Sequence, residues 1–548
     1  MNRREFLRGA LAFPAAAALM PTATRTLAQT APTATSNAKA PNLIYILIDD
    51  MGFSDLGCFG GEIDTPNLDR LARGGLRFTQ MHNDAMCVAS RSSLLSGQWW
   101  PRAGMGIKED RTTLPEMLRE QGYRNGVIGK WHLNGNPVDR GFDHFFGFLG
   151  GFADHFTGHP SYRLNKEPFT DYGDDYYSSD AFSERAVDFI RDNVADDAEQ
   201  PFFLYLNYQA PHNPLQAPRE DIMKYRGRYL DGWQAIREAR FEQQKALGIV
   251  PEDAELQPYP QNLPDWDSLS PAQQDLEDLR MSVYAAMIEG IDRGVGQVVA
   301  ALEEAGILDD TLVLFCSDNG TDSFHVVDQA MLERELLPGD PASNWQPGTG
   351  WAYATVTPWR LYKISKHSGG VVTGTIVHWP NGVTRPGAID DSQLHFVDVL
   401  PTFMELADGQ QDVERVDHQA GESFAPLLRG EAWERSRPMY FQFTDNRALR
   451  NDEYTLVEVD NAGWELFRQE DKFEDHDLAA ERPEVVEALE AEWLDWWRTE
   501  SGEDAYEPVS SVGHQHYQPQ GDRGSGVMYD PSAMPDALAG RYPLPEAR

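Results

Sequence analysis

The hydrophobic positions of this chain fall into short, separate runs that stop abruptly at polar side chains. Five runs have the length and the β-branched and aromatic content of fully buried strands. They read PNLIYILIDD, GYRNGVIGKWHL, PFFLYLNYQAPHNPLQAP, TLVLFCSDNG and GGVVTGTIVHWP. Four of them lead into side chains that can do chemistry: Asp49 and Asp50, Lys130 and His132, His212, and Asp318 and Asn319. We therefore predict buried β-strands whose ends carry functional groups.

Helical patterns lie between the predicted strands. Thr65 and Pro66 form an N-cap and first-turn pair, and the apolar stripe that follows ends at Gly74 and Gly75. Similar patterns run over 113–121 and over 281–305. Strands that alternate with helices predict an α/β fold with a large, mostly parallel sheet flanked by helices. Such sheets bind ligands at the carboxyl ends of their strands, where these polar groups fall.

Two long segments interrupt the alternation, and a different pattern follows it. Residues 219–280 are charged and rich in proline, with a helical piece near 231–246 and a capping box between Ser270 and Gln273. Residues 321–358 form the second insertion. From about 436, RPMYFQF, EYTLVEVD and GWELFR predict a short antiparallel sheet, with a helix over 483–498 after it. We expect a catalytic domain over 41–435, a small C-terminal α+β domain over 436–500 and an extended tail over 501–548.

The first residues form a pattern of their own. The stretch MNRREFLRGALAFPAAAALM places Arg3 and Arg4 before a modest apolar run that is too short to span a bilayer. The order of basic, apolar and small residues is typical of a twin-arginine export signal. We therefore expect residues 1–34 to be a signal peptide and linker, recognised by the twin-arginine export machinery. The protein would then act in the periplasm or outside the cell, with no membrane span in the mature chain.

Composition narrows the range of partners. The 548 residues carry a formal net charge of −40, which argues against nucleic acid or an anionic membrane surface as a partner. The three cysteines give no disulfide framework and no Cys-x-x-Cys pair. An anionic substrate would need a local cluster of positive side chains in this acidic protein.

Two acidic pairs at the ends of separate runs indicate a metal site. Neighbouring carboxylates repel unless a cation lies between them. Carboxylate and amide oxygens suit a hard ion such as Ca²⁺ or Mg²⁺. A single Asp-Asp pair is more often a turn or a helix cap, but two pairs at matching strand ends favour a metal. The predicted ligands are Asp49, Asp50, Asp318 and Asn319.

The positive pocket has candidates on several segments. Lys130 and His132 are two residues apart, so both face one side of an extended segment. Arg91 follows Cys87 by one helical turn, which places both on one helix face. Each residue alone is more often a surface or core residue than a catalytic one. Together they predict a pocket for an anion, formed by Arg91, Lys130, His132, His212 and Lys363.

These segments together resemble the type I sulfatase family. Its signature is a Cys or Ser followed after one residue by Pro or Ala, then Ser and Arg, and CVASR at 87–91 matches it. Further segments occur in the family's order and rough spacing across about residues 41–500: PNLIYILIDDMGFSDLGCFGG, TPNLDRLARGGLRFTQMH, GKWHL, APHNPLQAP, LVLFCSDNG, YKISKHSGGVVTGTIVHWP and WELFRQEDKFEDHDLA. The resemblance implies the alkaline phosphatase-like form of the predicted fold.

The resemblance also implies a mechanism for sulfate ester hydrolysis. Cys87 would be oxidised to formylglycine by a formylglycine-generating maturation enzyme, and its hydrated aldehyde would attack sulfur beside Ca²⁺, with Mg²⁺ as the alternative. Residue 87 would join the four predicted metal ligands. Arg91 would hold the hydrate, and Lys130 would contact sulfate and nucleophile. His132 would act as the base that breaks down the hemiacetal, whereas His212 and Lys363 would bind the sulfate and stabilise the leaving oxygen.

Two positions depart from the family's pattern. Ala89 stands where the family commonly has Pro, which bears on whether the maturation enzyme accepts this chain. Ser368 stands where the family often has Glu before Gly-Gly, so a supporting contact is expected to differ. Lys366 competes with Lys363 for the sulfate-binding role, but Lys363 has the family's spacing to Gly369.

The substrate is an aryl or carbohydrate sulfate on this interpretation. Trp345 and Trp351 either wall a sugar-binding cleft or pack an insertion against the domain. Asp154 and His155, in GFLGGFADHFTGH, are expected on the leaving-group side. Two other functions stay open: a phosphodiester or phosphonate monoester hydrolase of the same superfamily, and a non-catalytic glycan-binding relative.

Overall fold

A computed structural model describes residues 40–258, 263–324, 331, 333–408, 419–508 and 540–545 of the chain. The predicted export signal and most of the predicted tail lie outside these residues. Among the described helices, none is both long and apolar enough to cross a membrane.

The strands of the described residues form two separate sheets. They are β1 (Asn42–Asp49), β2 (Leu76–His82), β3 (Arg124–Lys130), β4 (His144–Phe148), β5 (Tyr162–Leu164), β6 (Glu167–Pro168), β7 (Phe202–Pro211), β8 (Thr311–Ser317), β9 (Val372–His378), β10 (Ile389–Asp390), β11 (Leu394–His395), β12 (Met439–Phe443), β13 (Asn446–Arg450), β14 (Tyr454–Glu458) and β15 (Glu465–Arg468).

Helices accompany both sheets, and most of those described flank the larger one. They are α1 (Pro66–Gly74), α2 (Cys87–Ser96), α3 (Trp100–Ala103), α4 (Leu114–Glu120), α5 (Ser178–Asp197), α6 (Arg219–Tyr225), α7 (Gly232–Leu247), α8 (Pro271–Glu304), α9 (Thr349–Thr355), α10 (Ser368–Val371), α11 (Val399–Asp408), α12 (Ala425–Leu428) and α13 (Pro483–Ser501).

The larger sheet has the order β10-β2-β9-β8-β1-β7-β3-β4-β5-β6, with β11 beside β2. Its centre, β8-β1-β7-β3-β4, is parallel, and β9 runs antiparallel to both β8 and β2. The predicted mostly parallel sheet is therefore confirmed, as are the five predicted strands. Because the central strands share one direction, their carboxyl ends meet at one edge. β2 ends and β9 begins at that same edge.

The central strand β1 shows why its run is apolar throughout. All of its residues except Asn42 are buried, because helices cover both faces of the sheet. Ile44, Ile46 and Ile48 enter one hydrophobic cluster, and Leu43 and Tyr45 enter the other. The period-2 alternation of side chains thus links two cores through one strand.

Helix α8 corrects the prediction for this part of the chain. The pattern predicted a helix from Met281, but the helix begins at Pro271. The predicted capping box is its start, since the Ser270 hydroxyl accepts a hydrogen bond from the Gln273 amide. The first turns of α8 do not show an apolar stripe, because they bury polar side chains. Asp278, for example, is buried and accepts hydrogen bonds from the amides of Gly227 and Tyr229.

The smaller sheet, β12-β13-β14-β15, is antiparallel as predicted, and α13 covers it. Trp493 of α13 is fully buried, and its indole donates to the Phe441 carbonyl at 3.2 Å. Residues from Ala40 onwards cluster as one compact unit, so the proposed boundary at 436 stays a prediction. Of the tail, residues 540–545 dock on the first insertion, where Arg226 donates to the Tyr542 carbonyl at 3.1 Å.

Candidate active site

Strand β1 delivers two carboxylates to the carboxyl edge of the sheet. Asp49 ends the strand, and Asp50 has a φ of 68°, in the left-handed region that non-glycine residues rarely adopt. The Tyr284 hydroxyl lies 3.3 Å from the Asp50 carbonyl and 2.6 Å from Asp55 Oδ2. Arg240 of the first insertion binds the other Asp55 oxygen at 2.7 Å. A buried polar network thus fixes the turn that carries Asp50.

Strand β8 delivers the second pair beside the first. The Asp318 amide donates to the Ile48 carbonyl at 2.9 Å, and the Ser90 hydroxyl donates to the Asp318 carbonyl at 2.6 Å. The Asn319 side-chain amide donates to Asp50 Oδ1 at 2.6 Å. Both acidic pairs therefore come together, as the matching strand ends predicted.

The donor set fits a hard divalent cation. Three buried oxygens have no hydrogen-bond partner among the described residues, namely Asp49 Oδ1, Asp318 Oδ1 and Asn319 Oδ1. Burial and the charge of Asp49 raise the pKa of Asp318 to about 7, because carboxylates crowded together inside a protein repel each other. Ligand atoms of Asp49, Asp50 and His212 also lie within 4.8 Å of one another. Oxygen atoms that lack partners and repel are the surroundings that Ca²⁺ or Mg²⁺ stabilises.

Cys87 begins helix α2 at this edge and is 1% exposed. Burial raises the pKa of its thiol, although the charges of Lys130 and Lys363 act in the opposite direction. The helix N-terminus adds a partial positive charge that favours an anion. The residue therefore lies in a cationic pocket, yet its thiol stays protonated and is a poor nucleophile.

Arg91 and Lys130 tie the nucleophile segment to the acidic pairs. Arg91 is fully buried, with its Nε 3.0 Å from Asp318 Oδ2 and a second nitrogen 2.9 Å from the Lys130 carbonyl. The Lys130 ammonium lies 2.5 Å from Asp49 Oδ2. Burial alone would raise the pKa of Asp49, but the charges of Lys130 and the neighbouring positive groups together outweigh it and hold the pKa below its usual value.

The two histidines flank this cluster in their neutral form. Burial, then the charge of Lys130, lowers the pKa of His132 to about 2, so its ring is a free base at neutral pH. Burial also lowers the pKa of His212, whose Nδ1 lies 2.7 Å from the Asn213 carbonyl. Its Nε2 points towards Asp50, 3.7 Å from Oδ2. Both rings are therefore placed to accept or pass on protons.

Lys363, and not Lys366, reaches the acidic cluster. Its ammonium lies 2.6 and 2.8 Å from the two oxygens of Asp50. The Lys366 ammonium instead donates to the Asp84 carbonyl at 2.5 Å, beneath the nucleophile segment. Glycines let the lysine loop return to the sheet: a β-carbon on Gly369 would lie 1.9 Å from the Leu361 carbonyl oxygen.

A residue from the C-terminal sheet region supports this loop. Glu474 is 3% exposed and accepts hydrogen bonds from the Ser368 amide at 3.1 Å and the Ser368 hydroxyl at 2.9 Å. It also binds Arg450 at 2.9 Å. Ser368 is thus supported by a carboxylate from a distant segment of the chain, and whether this contact differs from the family's stays a prediction.

Comparisons with known proteins agree with this geometry. The family model described as Sulfatase matches residues 41–409. An uncharacterized sulfatase of Schizosaccharomyces pombe is 32% identical over 84% of this chain and 94% of its own length.

This chain belongs to the sulfatase family.

An arylsulfatase of Klebsiella aerogenes is 35% identical to this sulfatase over 67% of the chain and 86% of the relative. The solved structure described as Ps i-CgsB is 25% identical, with a TM-score of 0.64, and the match covers 87% of this chain and 96% of that one. The predicted resemblance and fold class are thus confirmed, and so is the prediction of an enzyme that acts on sulfate esters.

The structure of this sulfatase does not support Trp345 and Trp351 as walls of a sugar cleft. Both side chains are buried, at 0% and 1% exposure. Trp351 packs edge-on against Trp233 and Trp266 of the first insertion, and Arg280 covers the Trp345 ring. Their faces are occupied by protein, so they pack the insertions against the domain, which was the alternative interpretation.

Asp154 and His155 also have internal partners in this sulfatase. Asp154 Oδ1 accepts from the amides of Phe156 and Thr157, while Oδ2 accepts from Gln216 and the Ala342 amide. His155 is fully buried, and its Nδ1 lies 2.8 Å from the Ser178 hydroxyl. Asp154 therefore shapes its loop, and His155 is buried, with only its Nε2 lacking a hydrogen-bond partner among the described residues.

Sequence patterns did not single out several residues that build this site. Ser90 lies inside the recognised signature, but Tyr284 lies within α8 and Glu474 within the C-terminal region. Asp322 is 1% exposed. Burial raises its pKa to about 7, even though the nearby Lys363 charge acts in the opposite direction. Of these, only Ser90 carried a signal in the sequence, because the others act through contacts between distant segments.

Proposed function

We propose that this sulfatase hydrolyses sulfate esters with a formylglycine made from Cys87 and a divalent cation held by Asp49, Asp50, Asp318 and Asn319. One observation carries the proposal: the buried Cys87 lies at a helix N-terminus between the charges of Lys130 and Lys363 and the acidic pairs. The unmodified thiol is a poor nucleophile there, because burial raises its pKa. Residue 87 thus has the position of a nucleophile but not its reactivity, and conversion of the cysteine to formylglycine would supply that reactivity.

Formylglycine and a divalent cation would supply the central chemistry. Hydrated formylglycine would offer an oxygen nucleophile and a second hydroxyl for the release of sulfate. The cation would lower the pKa of the nucleophile and neutralise developing negative charge. The oxygens of Asp49, Asp318 and Asn319 that lack partners would hold the cation. Ca²⁺ is our first choice and Mg²⁺ the second, since both prefer oxygen donors.

The chain's own side chains account for binding and proton transfer. Lys130 and Lys363 would attract the oxygens of the sulfate group, and Arg91 would hold residue 87 in place. His132, whose ring burial and the Lys130 charge keep neutral, would accept the proton that allows sulfate to leave. His212 would bind the sulfate with Lys363 and, once its ring is doubly protonated, would pass a proton to the leaving oxygen. This cationic cluster offers an anion a favourable site in a chain with a net charge of −40.

The substrate class rests on the relatives. An arylsulfatase and a steryl-sulfatase match this chain at 35% and 25% identity, and an N-acetylgalactosamine-6-sulfatase matches at 28%. We propose an aryl or carbohydrate sulfate as substrate. Maturation would require a formylglycine-generating enzyme that accepts Ala89, and twin-arginine export would carry the protein to the periplasm or outside the cell.

Peptide mass analysis of protein from the native host tests the proposal. The peptide that contains Cys87 should show the mass of formylglycine, and metal analysis should find a divalent cation bound. Hydrolysis of 4-nitrophenyl sulfate should depend on both. The Cys87→Ala variant is the matched control and should lose hydrolysis while it retains the metal. An unmodified cysteine in a protein that still hydrolyses sulfate esters would overturn the formylglycine part.

A further inference from the structure

The loop after β4 places one exposed aromatic ring beside His212. The Phe152 ring lies nearly parallel to the His212 ring, with centroids 6.4 Å apart and an interplanar angle of 16°. Phe152 is 54% exposed. In the same loop, a β-carbon on Gly151 would lie 2.9 Å from His132 Nε2. One short segment therefore covers both histidines and presents a ring to solvent next to one of them.

The ring is exposed although its backbone is firmly held. The Ala153 amide donates to Gln209 Oε1 at 3.0 Å, and Gln209 Nε2 donates back to the Ala153 carbonyl at 3.1 Å. Gln209 belongs to β7, two residues before its end. Asp154 then closes a turn with the amides of Phe156 and Thr157. The backbone beside Phe152 is thus held from the sheet, so the segment that carries the ring is placed near His212 before any ligand binds.

Single exposed hydrophobic side chains are common, so exposure alone decides nothing. Position distinguishes this one. His212 Nε2 lies 3.7 Å from Asp50 Oδ2, and the same imidazole ring lies beside the Phe152 ring, so His212 connects the acidic cluster with Phe152. An aryl group whose leaving oxygen is held beside His212 would therefore have the exposed Phe152 face as a neighbour. Aromatic pairs are favourable at centroid separations of about 4.5–7 Å.

The side chains that the sequence suggested for a sugar site are engaged inside the protein. Both oxygens of Asp154 accept hydrogen bonds from within the protein, and His155, Trp345 and Trp351 are buried. A sugar placed against the loop would meet the Phe152 face while these side chains offered its hydroxyls no partner. Hydroxyls removed from water without partners weaken binding, whereas a flat aryl group needs only the apolar face.

We propose that Phe152 forms a leaving-group subsite for aryl sulfates, in which the substrate ring stacks on the Phe152 ring. The subsite rests on the proposed function, because it takes the reacting sulfate to lie at residue 87 and His212. It selects the aryl group and has no part in the chemical step.

Equilibrium binding separates the subsite from catalysis. The full-length chain carries Cys87→Ala to prevent turnover, and calorimetry measures the dissociation constants of 4-nitrophenyl sulfate, methyl sulfate and glucosamine 6-sulfate. Adding Phe152→Ala should weaken 4-nitrophenyl sulfate about tenfold and methyl sulfate less than about twofold. Phe152→Tyr keeps the ring and should bind 4-nitrophenyl sulfate like the parent. Leu164→Ala, at a 36% exposed position on strand β5, which lies beside the edge strand β6, is the matched control and should change nothing.

Each outcome decides the proposal. Equal losses for aryl and methyl sulfate, no loss at all, or a larger loss for glucosamine 6-sulfate would overturn an aryl subsite. With Cys87 intact, Phe152→Ala should raise KM for 4-nitrophenyl sulfate and leave kcat within about twofold. If the intact protein hydrolyses no sulfate ester, the proposed function fails, while the binding measurements still decide whether Phe152 holds an aryl group.

Discussion

The buried pair of Glu474 and Arg450 tests how the C-terminal region supports the lysine loop. Glu474 accepts three hydrogen bonds, two from Ser368 and one from Arg450, and both charged side chains are less than 5% exposed. Glu474→Gln keeps the shape of the side chain but leaves the Arg450 charge buried without its partner. Breaking a buried ion pair in this way costs about 3–5 kcal/mol. We expect the lower end, about 3 kcal/mol, because the glutamine oxygen still accepts one hydrogen bond.

A double-variant cycle shows whether the two residues act as a pair. Arg450→Met should also destabilise the protein, since it leaves the Glu474 charge alone. Glu474→Gln combined with Arg450→Met removes both charges, so the double variant should lose about 2 kcal/mol less than the sum of the single losses. Urea unfolding at unchanged slope measures these free energies. The control is Arg468→Met, whose exposed pair with Glu453 should contribute less than about 1 kcal/mol.

Activity gives the second readout of the same pair. Ser368 begins helix α10, and the loop before it carries Lys363 to Asp50. Loss of the carboxylate at Ser368 should shift that lysine and lower kcat/KM for an aryl sulfate by roughly tenfold, because small misplacements of catalytic groups are costly. The assay is run at a temperature at which every variant is folded. Strictly additive stabilities, or full activity in a destabilised Glu474→Gln variant, would refute the reasoning.

Three other features give shorter tests. Chelation of divalent cations should lower the midpoint of thermal unfolding, because the oxygens of Asp49 and Asp318 would then repel each other. Added Ca²⁺ should restore the midpoint. A midpoint that chelation leaves unchanged would contradict the metal assignment. Burial, aided by the Arg450 charge, lowers the pKa of His82 to about 3, so the unfolded chain binds the extra proton below its own pKa of about 6.5. The contribution of His82 to the free energy of unfolding is therefore complete above about pH 6.5, and it falls by up to about 1.4 kcal/mol per pH unit towards pH 3. In urea unfolding, the His82→Asn variant should lose less stability between pH 7 and 5 than the parent protein does. The control variant, His476→Asn at an exposed position, should lose as much as the parent. Trp351→Ala should destabilise the protein by about 3–5 kcal/mol without changing KM, and a raised KM at unchanged stability would restore Trp351 as part of a sugar cleft.

The sequence could predict those parts of the site that strand ends position. A buried strand shows as a continuous apolar run, and the polar residue at its end falls at a defined edge of the sheet, as Asp49, Lys130 and Asp318 do. Helix α5 was missed because its stripe is diluted by polar residues at buried positions such as Ser183 and Asn193. The polar first turns of α8 hid its start in the same way. Periodicity detects apolar faces, and it fails where a helix buries hydrogen-bonded polar groups.

The supporting residues have no local pattern at all, and the reason is physical. Glu474 is one of several acidic residues in EDKFEDHDLA. Only its contact with Ser368, more than a hundred residues earlier in the chain, distinguishes it from the solvent-exposed acidic residues beside it. The same holds for Tyr284, which touches the Asp50 turn from the middle of a long helix. Catalytic side chains must lie at a few geometrically special places, so sequence patterns can mark them. Residues that hold them come from any segment that the fold brings near, as the proposed aryl subsite illustrates, because Gln209 holds the backbone next to Phe152.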